Sequence, residues 1–162
     1  MAETRRFYQP VAINGPLTVS GAVTLGDGVA LSAANDRQVI TEVVAVNGTT
    51  LHAAANGILN LWTAPAAALI QRLIIDITTV ATAACTLDIG YHATTLTTSD
   101  TLLDGIDANA AVAVFDSMNA ALDSGANAKA QKAASGGFIT IDEKTGDSTG
   151  MVANVYIQYI LV

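Results

Sequence analysis

The side chains that could support catalysis or metal binding are few and scattered along this sequence. The two histidines, His52 and His92, are far apart, and neither stands in the spacing of a zinc motif. We identify no nucleophile elbow and no glycine-rich phosphate loop. Cys85, the one cysteine, follows the alternation of a strand, which predicts a buried thiol rather than a reactive one, and it has no partner for an internal disulfide. The sequence therefore predicts that the protein is not an enzyme and has no cofactor.

Acidic residues offer the best candidate for a metal site. Asp100, Asp104 and Asp107 lie close together with Asn109, and calcium prefers several oxygen ligands. Their spacing does not match the EF-hand loop. We therefore prefer a structural interpretation, in which Ser99-Asp100 caps a helical turn through Leu103, Gly105 ends it, and Asx turns follow. No metal site is predicted.

The stretch from Leu69 to Tyr91 is the clearest structural element of the chain. Two runs within it alternate apolar with more polar residues, as expected of half-buried strands. One apolar face comprises Leu73, Ile75 and Ile77, and the other comprises Cys85, Leu87, Ile89 and Tyr91. The small residues 79–84 between the runs suit a hairpin or a short arch. Two strands require a larger sheet and a second layer, so the pattern predicts a β-rich domain.

The flanking segments extend this β pattern. Residues 39–46 are apolar on both faces, which predicts a strand that is covered on both sides or that contacts another subunit. Asn47-Gly48 predicts a tight turn with residues 49–52 as the return strand, and Asn56-Gly57 predicts a second turn. Trp62 is expected at a sheet edge or an interface.

The C-terminal half gives one ambiguous region and one clear one. Residues 109–122 fit either a helix or a strand, and residues 125–137 suggest a polar loop. A strand from Phe138, a turn at residues 144–150 and a long strand from Met151 to Leu161 follow. Regular strand-turn units predict an all-β, jelly-roll-like β-sandwich.

Composition restricts the possible partners. The formal net charge is −7, from 7 basic and 14 acidic residues, which disfavours nucleic-acid binding because phosphate contacts require Lys and Arg. No apolar run approaches the roughly 20 residues that span a membrane, and no secretory signal is evident, so synthesis in the cytoplasm is expected. Charged residues make up 13% of the chain, about half the usual ~25%. Such a surface is easily desolvated and suits a protein packed against neighbours.

The N-terminal segment divides into two parts. Residues 1–14 predict an extended arm that orders on a partner, with aromatic rings as anchors and arginines directed at acidic groups. The candidate contact residues are Arg5, Arg6, Phe7, Tyr8 and Pro10. Residues 15–68 form a β-rich segment that opens with short strands separated by glycine turns at 15–33. Residues 69–162 are assigned to the sandwich.

Two phrases carry a resemblance to a known class of proteins. TLDIGYHATTLTTSDTLLDGIDANAAVAVFDS, residues 86–117, and GGFITIDEKTGDSTGMVANVYIQYILV, residues 136–162, resemble tailed-bacteriophage capsid decoration, or cement, proteins. The resemblance implies a jelly-roll-like sandwich that forms a homotrimer on the outer capsid surface. It also implies an extended N-terminal segment that joins neighbouring subunits of the major capsid protein.

The acidic balance agrees with this implied location, because it would repel packaged DNA. An alternative is a tail-fibre or receptor-binding module that recognises glycans. The strands at 15–33 resemble the shaft repeats of phage fibres, and Trp62, Tyr91 and Tyr156 could stack on sugars. The two hypotheses differ in copy number, since cement is abundant in a virion and fibres are scarce.

Overall fold

The computed structural model describes residues 39–93, 97–119 and 131–162, which belong to one compact unit spanning residues 34–162. Predicted features in the remaining residues lie outside this description. The elements, in chain order, are β1 (Ile40–Asn47), α1 (Gly48–Ala53), a 3-10 turn (Ala55–Gly57), β2 (Ile58–Thr63), β3 (Ala68–Thr79), β4 (Cys85–His92), β5 (Leu103–Asp107), β6 (Ala113–Asp116), β7 (Gln131–Ala133), β8 (Phe138–Gly146) and β9 (Val152–Leu161).

The strands form two antiparallel sheets. Sheet A has the order β1-β9-β3-β6, with β7 also paired to β3, and sheet B has the order β2-β8-β4-β5. The first four strands alternate between the sheets, so the chain winds around the core instead of forming local hairpins. The predicted all-β, jelly-roll-like β-sandwich is confirmed. Among the described residues no helix is long and apolar enough to cross a membrane.

The core is built from alternate residues of the central strands of both sheets. The largest fully buried side chains on these strands are Ile70, Leu73, Ile75 and Ile77 from sheet A and Leu87, Ile89, Ile139 and Ile141 from sheet B. Burial of each stabilises the fold by roughly 1.5–3 kcal/mol. Trp62 is 4% exposed and packs against Tyr159, with ring centroids 4.9 Å apart. Aliphatic side chains therefore make up most of the core, and Trp62 and Tyr159 add one aromatic pair to it.

The link between β3 and β4 is an arch between the sheets, because β3 lies in sheet A and β4 in sheet B. Two backbone hydrogen bonds hold it: Ala81 N–H donates to Ala108 O over 2.9 Å, and Thr82 N–H donates to Thr149 O over 2.9 Å. The two predicted strands are confirmed. Of the two connections considered, the short arch is the one formed.

The return strand predicted at residues 49–52 is wrong, because α1 occupies this position. Asn47 caps this helix: its side-chain Oδ1 accepts from the Thr50 N–H over 3.2 Å. Leu51 is completely buried and fixes the helix on the core. The predicted turn at Asn56-Gly57 is confirmed, with positive φ angles of 59° and 66°.

Residues 97–137 also differ from the prediction. The expected helical turn through Leu103 is wrong, since β5 begins there and Leu103 and Ile106 are buried. In the ambiguous region, β6 resolves residues 113–116 as a strand paired with β3. Within the expected loop at 125–137, residues 131–133 form β7 against β3. Both segments are therefore strands because they pair with β3.

The C-terminal strand follows its prediction closely. Five of the six residues expected on one face of β9 are buried, and only Leu161, at the strand end, is 42% exposed. β1 and β2 lie in the same two sheets, whereas the sequence-based division began the sandwich at residue 69. The described part of the sandwich thus starts at β1.

Candidate functional site

The outer face of sheet A carries exposed apolar side chains on neighbouring strands. Val43, Tyr156 and Ile74 form one cross-strand row, because Tyr156 pairs with Val43 of β1 and with Ile74 of β3. Val43 is 57% exposed and Val114, on β6, is 63% exposed. Val114 does not belong to this row, because its partner on β3 is Asp76. Exposed apolar side chains on neighbouring strands are typical of interaction sites in soluble proteins. We call this surface the sheet A face.

One pair of charged side chains on the sheet A face is neutralised within the chain. The Arg72 guanidinium contacts the Asp116 carboxylate, and its Nε donates to Asp116 Oδ1 over 3.1 Å. The hydrogen bond from Arg72 lowers the pKa of Asp116. Beside this pair lies a cleft of about 530 Å³. Its lining residues are Leu69, Gln71, Arg72, Met118 and Gln158. Because this ion pair is internally satisfied, covering it leaves neither of its two charges isolated. Asp76, opposite Val114, is a further charge on this face.

β1 forms one edge of sheet A in the described part of the chain. Its core-facing side includes buried Val46 and partly buried Val44, while Val43 on the other side is exposed. The inner side also carries Glu42, whose Oε1 accepts from the Tyr159 hydroxyl over 2.6 Å. The sequence offered two explanations for a strand that is apolar on both faces. The first, a strand covered on both sides, does not hold within the described residues, because they cover only the core-facing side of β1. Contact with another subunit stays a prediction.

Sheet B carries a buried acidic pair on the side facing away from the core. Asp88 of β4 and Asp142 of β8 are cross-strand partners, 6% and 3% exposed. The segment from residue 97 covers them, and Thr140 Oγ1 donates to Thr97 O over 2.9 Å. Lys144 Nζ lies 3.1 Å from Asp88 Oδ2. Burial, followed by repulsion from Asp88, raises the pKa of Asp142 to about 6.

A second cluster of titratable side chains lies where α1 meets the β8–β9 turn. His52 Nδ1 is 3.0 Å from Glu143 Oε1 and 3.5 Å from Asp147 Oδ1. The hydrogen bond with Glu143 raises the pKa of His52. Burial alone would raise the pKa of Glu143, but hydrogen bonds from Ser148 and His52 hold it below its usual range. Sequence reasoning missed this cluster because its members come from distant parts of the chain.

Residues Gly146 to Gly150 spell Gly-Asp-Ser-Thr-Gly, which matches the letters of a nucleophile elbow. The segment connects two strands instead of a strand and a helix, so the context of that motif is missing. Ser148 is fully buried, and its Oγ is 2.9 Å from Gly48 O and 2.6 Å from Glu143 Oε2. This hydroxyl is placed to fasten the turn and is not accessible to a substrate.

Three of the residues considered for calcium, Asp104, Asp107 and Asn109, have separate partners. Asp104 Oδ1 accepts from Lys144 Nζ over 2.6 Å. Asp107 Oδ1 accepts from the N–H groups of Asn109 and Ala110, both over 3.0 Å, which is the predicted Asx turn. The Asn109 amide donates to Ala81 O over 2.7 Å. Asp107 therefore holds the β5–β6 connection in place, and Asn109 ties it to the β3–β4 connection.

Of the remaining candidates, some are buried and the N-terminal arm lies outside the described residues, whereas His92 and Tyr156 are partly exposed. Cys85 is 3% exposed, and burial raises the pKa of its thiol to about 11, so the predicted buried thiol is confirmed. Trp62 and Tyr91 are buried, and the Tyr91 hydroxyl accepts from the Ala134 N–H over 2.7 Å. Neither ring offers a surface for stacking on a sugar. The predicted contact residues Arg5, Arg6, Phe7, Tyr8 and Pro10 lie outside the described residues.

Comparisons with known proteins show similarity in fold. No protein-family model matches the sequence, and no curated protein matches it. A chain in the capsid of Ralstonia phage GP4 is 17% identical, with a TM-score of 0.57 over 77% of this chain and 85% of the other. A chain from the acid-stable capsid of Helicobacter pylori bacteriophage KHP30 is 16% identical, with a TM-score of 0.48 over 76% of this chain and 87% of the other. A chain of the cyanophage Pam1 capsid is also 16% identical, with a TM-score of 0.42 over 87% of this chain and 94% of the other. Of these three similarities, the one with the GP4 capsid chain shows that this fold occurs in a phage capsid.

Proposed function

We propose that this chain is a structural virion protein that binds the outer surface of a phage capsid. In this role it bridges neighbouring subunits of the major capsid protein and stabilises the shell without a catalytic step. The observation that carries the proposal is the sheet A face. The fold of the sandwich, which is similar to that of a chain in the GP4 capsid, supports the same role.

The chemistry of the sheet A face suits attachment to a large protein surface. Val43 and Val114 are exposed on different strands of one continuous sheet, and the charges of Arg72 and Asp116 neutralise each other. Removal of apolar area from water contributes about 25 cal/mol per Å². Covering apolar groups and a satisfied ion pair gains this energy at a lower desolvation cost than covering isolated charges would.

The N-terminal arm, residues 1–14, supplies a second attachment in this proposal. Deletion of residues 2–12 is expected to leave the sandwich folded and to weaken attachment to undecorated shells. The arm contributes aromatic anchors, Phe7 and Tyr8, and the cations Arg5 and Arg6. Cosedimentation of the full and shortened chains with shells measures this effect, and circular dichroism verifies the fold. Equal attachment of both chains would assign all binding to the sandwich.

The homotrimer is part of the proposal. In the described part of the chain β1 lies at an edge of sheet A, so the edge of a neighbouring copy could pair with it. Light scattering on the purified chain is expected to give three subunits per particle at micromolar concentration. A monomer under these conditions would contradict the trimer.

A further inference from the structure

The cluster formed by His52, Glu143 and Asp147 has the composition and spacing of a divalent-metal site. One ligand atom from each residue, an imidazole nitrogen or a carboxylate oxygen, lies within 4.8 Å of the other two. The two distances from His52 Nδ1 are 3.0 Å to Glu143 Oε1 and 3.5 Å to Asp147 Oδ1. Ligands bound about 2.1 Å from one metal ion are separated by about 3.0–3.4 Å. The two separations from His52 Nδ1 are therefore close to those of ligands that share one metal ion.

Three different elements deliver these ligands. His52 lies in the last turn of α1, Glu143 in β8 and Asp147 in the turn before β9. α1 is fixed on the core by buried Leu51, and the turn is fixed by Ser148. The positions therefore depend on the folded sandwich and not on flexible loops alone.

The carboxylates are also oriented by hydrogen bonds. Ser148 donates from its backbone N–H to Glu143 Oε2 over 2.8 Å, and the carboxylate faces His52 Nδ1 with Oε1 at 3.0 Å and Oε2 at 3.2 Å. The Thr149 N–H donates to Asp147 Oδ1 over 2.8 Å. Outer hydrogen bonds of this kind orient the ligands of metal sites and raise their affinity.

We propose that His52, Glu143 and Asp147 bind a divalent first-row transition metal of the zinc type. Two carboxylates and a neutral imidazole provide two negative charges for a doubly charged ion. The imidazole favours zinc over magnesium or calcium, which prefer oxygen ligands. Because His52 is 46% exposed at its side chain, water can complete the coordination. The bound ion would join α1 to the β8–β9 turn, and this inference does not depend on capsid attachment.

Calorimetric titration of the untagged full chain with zinc chloride tests the proposal. The chain contains two histidines, so His92→Ala is a matched control for His52→Ala. We expect the wild type and His92→Ala to bind one zinc ion per chain, with an increased Tm. His52→Ala should weaken binding by more than the tenfold to hundredfold typical of outer-shell changes.

Asp147→Asn provides a second variant that preserves folding, because asparagine can still accept the Thr149 N–H while it removes a charged ligand. We expect it to weaken zinc binding as well. No zinc binding by the wild type at millimolar concentration would overturn the proposal. Equal affinity of wild type and His52→Ala, or equal loss in His52→Ala and His92→Ala, would also overturn it.

Discussion

The double variant Val43→Asp, Val114→Asp is expected to lose attachment to undecorated shells almost completely. Both residues are highly exposed in the isolated chain, so the sandwich should fold with little loss of stability. In the complex each new carboxylate would be desolvated against an apolar contact, at a cost of about 2 kcal/mol or more. Two such penalties correspond to about a thousandfold weaker binding. Cosedimentation over a range of protein concentrations measures the change.

A carboxylate on the opposite sheet gives the matched control. Thr63, at the end of β2 in sheet B, is also exposed, and its hydroxyl accepts from the Asn60 amide over 2.9 Å. Aspartate at this position retains an acceptor for that amide. Thr63→Asp is therefore expected to bind as the wild type does. If Thr63→Asp and the double variant lost attachment equally, overall charge would explain the result and the sheet A face would be excluded.

Asp142→Asn is expected to stabilise the fold at neutral pH by about 1–3 kcal/mol. Burial and the nearby Asp88 raise the pKa of Asp142 from its ordinary value of 3.8 to about 6. The folded state therefore binds more protons than the unfolded state between these values, so stability falls as pH rises through this interval. Asparagine removes the buried charge and can donate to Asp88. Urea denaturation at several pH values measures the difference.

The gain from Asp142→Asn should disappear near pH 4, where the carboxyl is protonated in the folded state. Asp76→Asn, on the sheet A face, is the control for loss of one negative charge. It should not reproduce the pH-dependent gain. A variant at position 142 that was less stable than wild type at pH 7 would show that the buried carboxylate is favourable where it lies.

The sequence predicted those parts of the fold whose pattern is set by burial on one face of a strand. Alternation at Leu73, Ile75 and Ile77 indicated β3, and the same rule indicated β4, β8 and β9. The fold class followed from these strands. Local sequence signals were weaker where pairing with a distant strand determines the secondary structure. Residues 131–133 carry little β signal, and they form a strand because β3 offers an edge for pairing.

Asn47 shows why a local motif misled the prediction. Asn-Gly favours a tight turn, but asparagine is also a helix cap, and burial of Leu51 selects the helix. The cluster around His52 could not be predicted because its residues meet only after the sheets form. The sheet A face could be predicted in part from the sequence, because residues 39–46 are apolar on both faces of the strand.

The most direct test of the proposed function compares the temperature of DNA release for phage particles with and without this protein. A protein that binds only the assembled shell stabilises it by roughly 2.7 kcal/mol per site at a hundredfold excess over the dissociation constant. We predict that particles lacking the protein release DNA at a lower temperature and that adding the purified chain restores the higher one. The double variant at Val43 and Val114 should fail to restore it. An unchanged release temperature with the wild-type protein bound, or no binding at all, would contradict the proposed function.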